Sequence, residues 1–188
     1  AALLALLWLL HHNEIEEERA ALIKDGLWLE QNLQFHLNSG EDQLQQLALD
    51  MSTLPDSRKT FRLRAEHMLR NSPEIAQILW LSPDRKVIDA LPSTSLPEQE
   101  IETFGPSPIS RAFDLTLHIG KPHYSEPFFL EGNRGHVELL VPIQGKDQQI
   151  SGILAILLPL DTLLANQVPW WFTEQYKVEF IDGNEQLY

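Results

Sequence analysis

Three apolar runs between His123 and Leu158 follow one another with only turns between them, and this constrains the fold more than any other feature of the chain. The runs are His123 to Leu130, His136 to Ile143 and Ile150 to Leu158. Glu131-Gly132-Asn133-Arg134-Gly135 and Gln144-Gly145-Lys146-Asp147 separate them, and Gly, Asn and Asp are the residues that tight turns require. Parallel neighbours need a crossover of about a dozen residues or more, so these strands are antiparallel. Upstream, Ile78-Leu79-Trp80-Leu81, the turn Ser82-Pro83-Asp84-Arg85 and Lys86-Val87-Ile88-Asp89-Ala90 predict a further hairpin.

Helices precede and interrupt the strands. From about Ile15 to Leu37 the pattern is helical, with Trp8, Ile15, Leu22 and Leu29 seven residues apart and Leu33 and Leu37 continuing the stripe. His12, Arg19 and Gly26 fill the intervening positions, so half of a coiled-coil seam is missing. The helix therefore packs along its own domain and only weakly on a partner helix. Asn38-Ser39-Gly40-Glu41-Asp42 is an expected kink or interruption, after which Leu44, Leu47, Ala48 and Met51 resume the period. A shorter helix runs from about Asp56, a capping residue, to Arg70. Another spans Ile109 to Ile119 and stops at Gly120. Pro92 to Pro108 reads as a connection, Asp161 to Asn166 as a short helix broken at Pro169-Trp170-Trp171, and Tyr176 to Ile181 with its Asp-Gly turn as a last hairpin. Strands grouped by short turns, with helices segregated from them, make the class α+β.

The ten residues Ala1 to Leu10 are apolar on every side. They are too few to cross a bilayer, which takes roughly 20. Trp8 and the polar residues after Leu10 suit the exit end of a membrane helix; the alternative is the start of an amphipathic helix packed on its own domain. No basic run precedes the stretch and no cleavage site follows it, so an uncleaved anchor is expected rather than a secretory signal.

With 43% hydrophobic residues in 188, the chain builds a real core. Its net charge of −13 and lack of a basic cluster exclude nucleic acid and a polybasic membrane anchor as partners. There is no Cys, which removes disulfides and thiolate-bound metals. No Gly-x-Ser-x-Gly, His-Glu-x-x-His or phosphate-cradling Gly loop is present, so the region is expected to be non-catalytic.

The order of these elements resembles the extracytoplasmic PAS-like sensor domains of the PDC or Cache family, found in bacterial two-component histidine kinases, with the dicarboxylate-sensing branch the most similar. Pro73 to Ile88 resembles the family's first hairpin, Gly120-Lys121-Pro122-His123-Tyr124-Ser125-Glu126-Pro127 the entry into its third strand, and Val141-Pro142-Ile143 with Gly152-Ile153-Leu154 its fourth and fifth strands. The likeness spans about residues 50–168. It implies a long N-terminal helix followed by an antiparallel sheet flanked by helices. Residues 1–10 would end a transmembrane helix, 11–52 form a signalling and dimerisation helix and 53–168 form the sensor domain. Residues 169–188 would open a second PAS-like unit or complete the first sheet as a terminal hairpin.

The resemblance also implies a function. This would be the periplasmic part of a bacterial inner-membrane signalling protein, with a histidine kinase outside the chain, a homodimer contact along the long helix and no cofactor. The alternative is a structural or protein-binding dimerisation module, as in a chemoreceptor or diguanylate cyclase, without a small ligand. In the family, ligands sit on one face of the sheet under the preceding helix and loops. The matching elements supply Arg111, His118, Lys121, His123, Tyr124, Ser125, His136 and Glu138. Arg111 offers a fork to a carboxylate, with Lys121 as a second cation, so a carboxylate is the candidate ligand. The family's frequent amino-acid signature, Arg and Trp-Tyr close together in the helix beside the strands, is absent. His136 and Glu138 alternate with Val137 and Leu139, so the two pairs face opposite sides of the sheet. His118, His123, His136 and Glu138 could also be drawn as a metal site, but no close ligand pair supports one. His118 near a helix end is explained more simply by the helix dipole.

Overall fold

The computed structural model describes residues 2–93, 108–130 and 134–181, with side chains from residue 17 onward. Helix α1 (Ala2–Thr53) leads into α2 (Ser57–Asn71) and the hairpin β1 (Gln77–Leu81) and β2 (Val87–Leu91). Then come α3 (Pro108–Ile119), β3 (His123–Tyr124), β4 (Phe128–Leu130), β5 (Arg134–Gln144), β6 (Ile150–Pro159), α4 (Leu160–Gln167) and α5 (Trp170–Gln175). The strands form one six-stranded sheet in the order β2-β1-β6-β5-β3, with β4 also on β5, and every pairing is antiparallel. The α+β class and the expected β1–β2 hairpin are therefore observed.

Alternation along the strands divides the interior in two. One face of the sheet presents Ile78, Leu139, Val141, Ile143, Leu154 and Ile156 to α1 and α2. These helices answer with Leu44, Leu47, Ala48 and Met51, at helical spacing on α1, and with Phe61, Ala65 and Met68 on α2. The other face presents Leu79, Leu81, Leu140, Ile153 and Ala155, and α3 covers it with Ala112 and Phe113. Both layers are apolar, and each fully buried large side chain contributes about 1.5–3 kcal/mol relative to exposure.

Local chemistry sets the element boundaries. The Asp56 carboxylate accepts from Lys59 N at 3.0 Å and opens α2. Arg62 then reaches from α2 to the buried Asp89 of β2 with two hydrogen bonds of 2.9 and 3.1 Å. Gly120 ends α3 at φ +69°, a backbone conformation that costs glycine nothing.

Four expectations are corrected. Helix α1 runs unbroken through Asn38-Ser39-Gly40, because the apolar stripe on both sides of the glycine packs in one phase along the sheet. The run from His123 to Leu130 is two short strands, parted where Pro127 has no N–H to give the ladder. The break after α4 falls at Val168-Pro169 as expected, but Trp170 and Trp171, read as part of it, are helical and open α5. Tyr176 to Phe180 forms no regular strand and Ile181 makes an isolated bridge, while the expected Asp182-Gly183 turn lies outside the described residues. Among the described residues no helix is long and apolar enough to cross a membrane.

The close pairing of β1, β6 and β5 leaves no room for a side chain at position 152. A Cβ there would sit 2.8 Å from the Leu81 carbonyl oxygen and 3.0 Å from Trp80 Nε1. Gly152→Ala is expected to cost about 1–3 kcal/mol through the displacement it forces, read as a lowered urea midpoint at unchanged slope.

Candidate functional site

Strand β5 carries a carboxylate into the apolar interior. Glu138 pairs in register with Leu157 of β6 and shares the α3-facing side of the sheet with Leu140 two residues on. The residue is 4% exposed, and its Oε2 has no hydrogen-bond partner among the described residues. Burial raises its pKa from 4.5 to about 8, so at neutral pH it holds a proton. Its backbone is fixed from the edge of the sheet by Ser125, whose N–H donates to Glu138 O at 2.8 Å and whose Oγ accepts from Glu138 N at 2.9 Å.

Glu138 borders a cavity of about 50 Å³ between the sheet and α3. Leu79, Leu81, Phe113, Phe128 and Leu157 give it apolar walls, and Gln77, Ser110 and Arg85 are the other polar residues around it. Arg85 belongs to the β1–β2 turn and has φ +64°. Its guanidinium donates to Asp114 Oδ1 at 2.6 Å and to Ser110 Oγ at 3.3 Å, and lies 5.4 Å above the Phe113 ring. The strained turn thus places a cation over the helix that roofs the cavity. Gln77 directs its amide to Pro92 O at 3.4 Å.

The eight residues singled out in the sequence are not gathered at one place. Glu138 lines the cavity. Ser125 is buried and holds the Glu138 backbone. His136 is buried, donating from Nδ1 to Arg134 O and stacking on Phe128 with ring centres 6.1 Å apart. Arg111 is exposed and paired with the equally exposed Glu126. The Nδ1 of His118 donates to Asp114 O, that of His123 to Lys121 O, and Lys121 itself faces solvent. Tyr124 points to the opposite face, where its hydroxyl donates to Leu37 O of α1 at 3.3 Å. Burial and then the Glu41 charge lift its pKa to about 12. Among the described residues no cluster of three His, Cys, Asp or Glu side chains is placed to hold a metal.

Arg85, Gln77, Ser110 and Phe113 were not singled out in the sequence. Gln77 carried a signal, since it is the one polar residue in phase with Leu79 and Leu81. A wider depression of about 500 Å³ between α4 and the chain after α5, lined in part by Trp170, Tyr176 and Lys177, is open to solvent and encloses no buried carboxylate.

No family model matches the chain. Over 183 residues, 97% of its length, it is 29% identical to the C4-dicarboxylate transport sensor protein DctS of Rhodobacter capsulatus. It spans only 25% of that relative. The ligand-binding domain of the Pseudomonas fluorescens chemoreceptor CtaA in complex with L-serine superposes with a TM-score of 0.66 at 13% identity, covering 92% of this chain and 71% of that one. The domain of the Pseudomonas aeruginosa amino-acid chemoreceptor PctB with L-Gln gives 0.60 at 16%, covering 86% and 64%. That of PctC with GABA gives 0.58 at 20%, covering 77% and 63%. The fold is shared with these chemoreceptor ligand-binding domains, as the resemblance in the sequence implied.

Proposed function

We propose that this chain is the periplasmic ligand-sensing region of a membrane-bound signalling protein, with a small molecule bound between α3 and the sheet. One observation carries the reading: an apolar cavity of about 50 Å³ is bordered by the buried Glu138, one of whose carboxyl oxygens has no partner among the described residues. A purely structural core would pair or omit such a group, because an unsatisfied buried polar atom costs about 1–3 kcal/mol. The similarity to a dicarboxylate transport sensor and the shared fold with chemoreceptor domains support it. Glu138 is the proposed ligand contact, with Ser125 holding its strand.

The output is a cytoplasmic histidine kinase beyond this chain, and the region itself is non-catalytic. Helix α1 relays occupancy and forms the homodimer contact. Exposed Leu22, Ile23, Leu27 and Phe35 on α1 support that contact. Carboxylates, the class named for the relative, and amino acids, bound by the solved neighbours, both belong in a ligand panel with amines.

A thermal-shift screen tests the reading. At least one class is expected to raise the midpoint, by about 2.7 kcal/mol of stability at 100 times its dissociation constant. Leu81→Phe, which fills the cavity from the sheet side, is expected to abolish the response. A folded protein indifferent to the whole panel, or a response that survives the filled cavity, overturns it.

A further inference from the structure

The charge inside the cavity bears on which ligand enters it, an inference that rests on the reading of this cavity as the ligand site. We propose that the ligand is a small organic ammonium ion, seated with its N–H donors on the Glu138 carboxylate and its apolar body along Leu79, Leu81, Phe113 and Phe128. Oε2 of Glu138 is a buried acceptor with no donor among the described residues, and an ammonium group brings three.

The cations available to an acidic ligand are either placed elsewhere or already paired. Arg111 is tied to Glu126 on the surface and Lys121 faces solvent. Arg85, on the β1–β2 turn, borders the cavity but already holds Asp114 of α3 at 2.6 Å. The cavity residues from β1, β4 and β6 are not titratable, nor are Ile109, Ser110 and Phe113 of α3. On β5 the nearest titratable neighbour in phase is His136, whose Nδ1 is spent on Arg134 O. An acid therefore meets a second acid here, whereas a cation meets an unpaired one.

The chemistry predicts its own pH dependence. Burial keeps Glu138 protonated at neutral pH. A binding ammonium ion displaces that proton to solvent and forms an ammonium–carboxylate pair, so one proton is released for each ligand bound. Affinity then rises with pH by up to about tenfold per unit until Glu138 of the free protein is itself ionised. A carboxylate bound by the protonated Glu138 would show the reverse, weakening as that proton is lost.

Calorimetry with propylammonium, propionate and 4-aminobutyrate on the whole chain, between about pH 6 and pH 8, separates these cases. Propylammonium is expected to bind more tightly at the higher pH. Repeating the titration in two buffers of different ionisation enthalpy should report release of close to one proton near neutrality. Glu138→Gln, which keeps the shape and removes the charge, is expected to weaken propylammonium at least about tenfold. The wild-type proton count stands independently of whether that variant folds. Binding of propionate without propylammonium, or ammonium binding with no proton release, overturns this inference while leaving a ligand-binding cavity in place. Failure of these probes and of the wider panel alike overturns the sensing reading as well.

Discussion

Folded protein should lose stability steadily as the pH rises from about 5 to about 8, and Glu138→Gln should flatten that part of the curve. Burial raises the folded-state pKa of Glu138 from 4.5 to about 8. Its protonated form is fully compatible with the fold below the unfolded value. Between the two values the unfolded chain releases the proton while the folded chain retains it. Stability therefore falls by up to about 1.4 kcal/mol per pH unit, on the order of 4–5 kcal/mol across the window. Above the folded value the loss is complete and the curve levels. Urea denaturation of both proteins at matched pH isolates the effect, because the other groups titrate alike in both. A wild-type curve parallel to that of the variant would show that Glu138 reaches water. Asp89 and Asp161 act in a different window. For Asp89, burial pushes the pKa up, but the Arg62 hydrogen bonds, the Ala90 N–H and the Arg62 and Arg58 charges together hold it below its usual value. Hydrogen bonds from Arg134 do the same for Asp161, more than offsetting a small desolvation. Their stabilisation is present above the unfolded value of 3.8 and is lost in acid.

Phe61→Ala should be the most damaging truncation on the other face of the sheet, lowering stability by about 3–5 kcal/mol. Phe61 is 0% exposed and tilts against Trp80 with ring centres 6.0 Å apart. Its loss opens a void among Leu44, Leu47 and Ile78, whose backbones are held by α1 and the sheet ladder and cannot close in. Denaturant midpoints at unchanged slope measure the loss. Because the cavity lies across the sheet, any ligand that stabilises the wild type should add the same increment to the variant. A loss below about 1 kcal/mol would mean that α2 packs loosely and that Phe61 is no keystone of this layer.

The elements legible in the sequence are those whose signals are local. Asp56 marks the start of α2 and Gly120 the end of α3; the turn at Gly145 separates β5 from β6. Alternation along β5 also placed Glu138 and Leu139 on opposite faces. Errors arose where one residue has two local meanings. Pro169 does break the helix before it, yet its φ of −63° also suits entry into α5, so Trp170-Trp171 are helical and not part of the break. Asn38-Ser39-Gly40 reads as an interruption, yet burial on both sides of it carries α1 straight through. The site was less legible because its parts are distant in sequence. Arg85 sits in a turn and meets Asp114 29 residues later, a pairing no local pattern encodes. Arg111 is attractive as an isolated residue type, but helical phase sends it outward to Glu126 while Ala112 and Phe113 turn inward.

Helix α1 is gripped by the rest of the domain from Asp25 to Met51. Tyr176 bonds Asp25, Trp171 packs on Trp28, Asn32 bonds Gln167 O, and Tyr124 bonds Leu37 O, before Leu44 to Met51 sink into the sheet. The residues ahead of Asp25 extend about 35 Å beyond this collar at 1.5 Å per residue. They form the long arm of a lever whose fulcrum is the collar. A tilt of about 5° at the grip sweeps the far tip by about 3 Å.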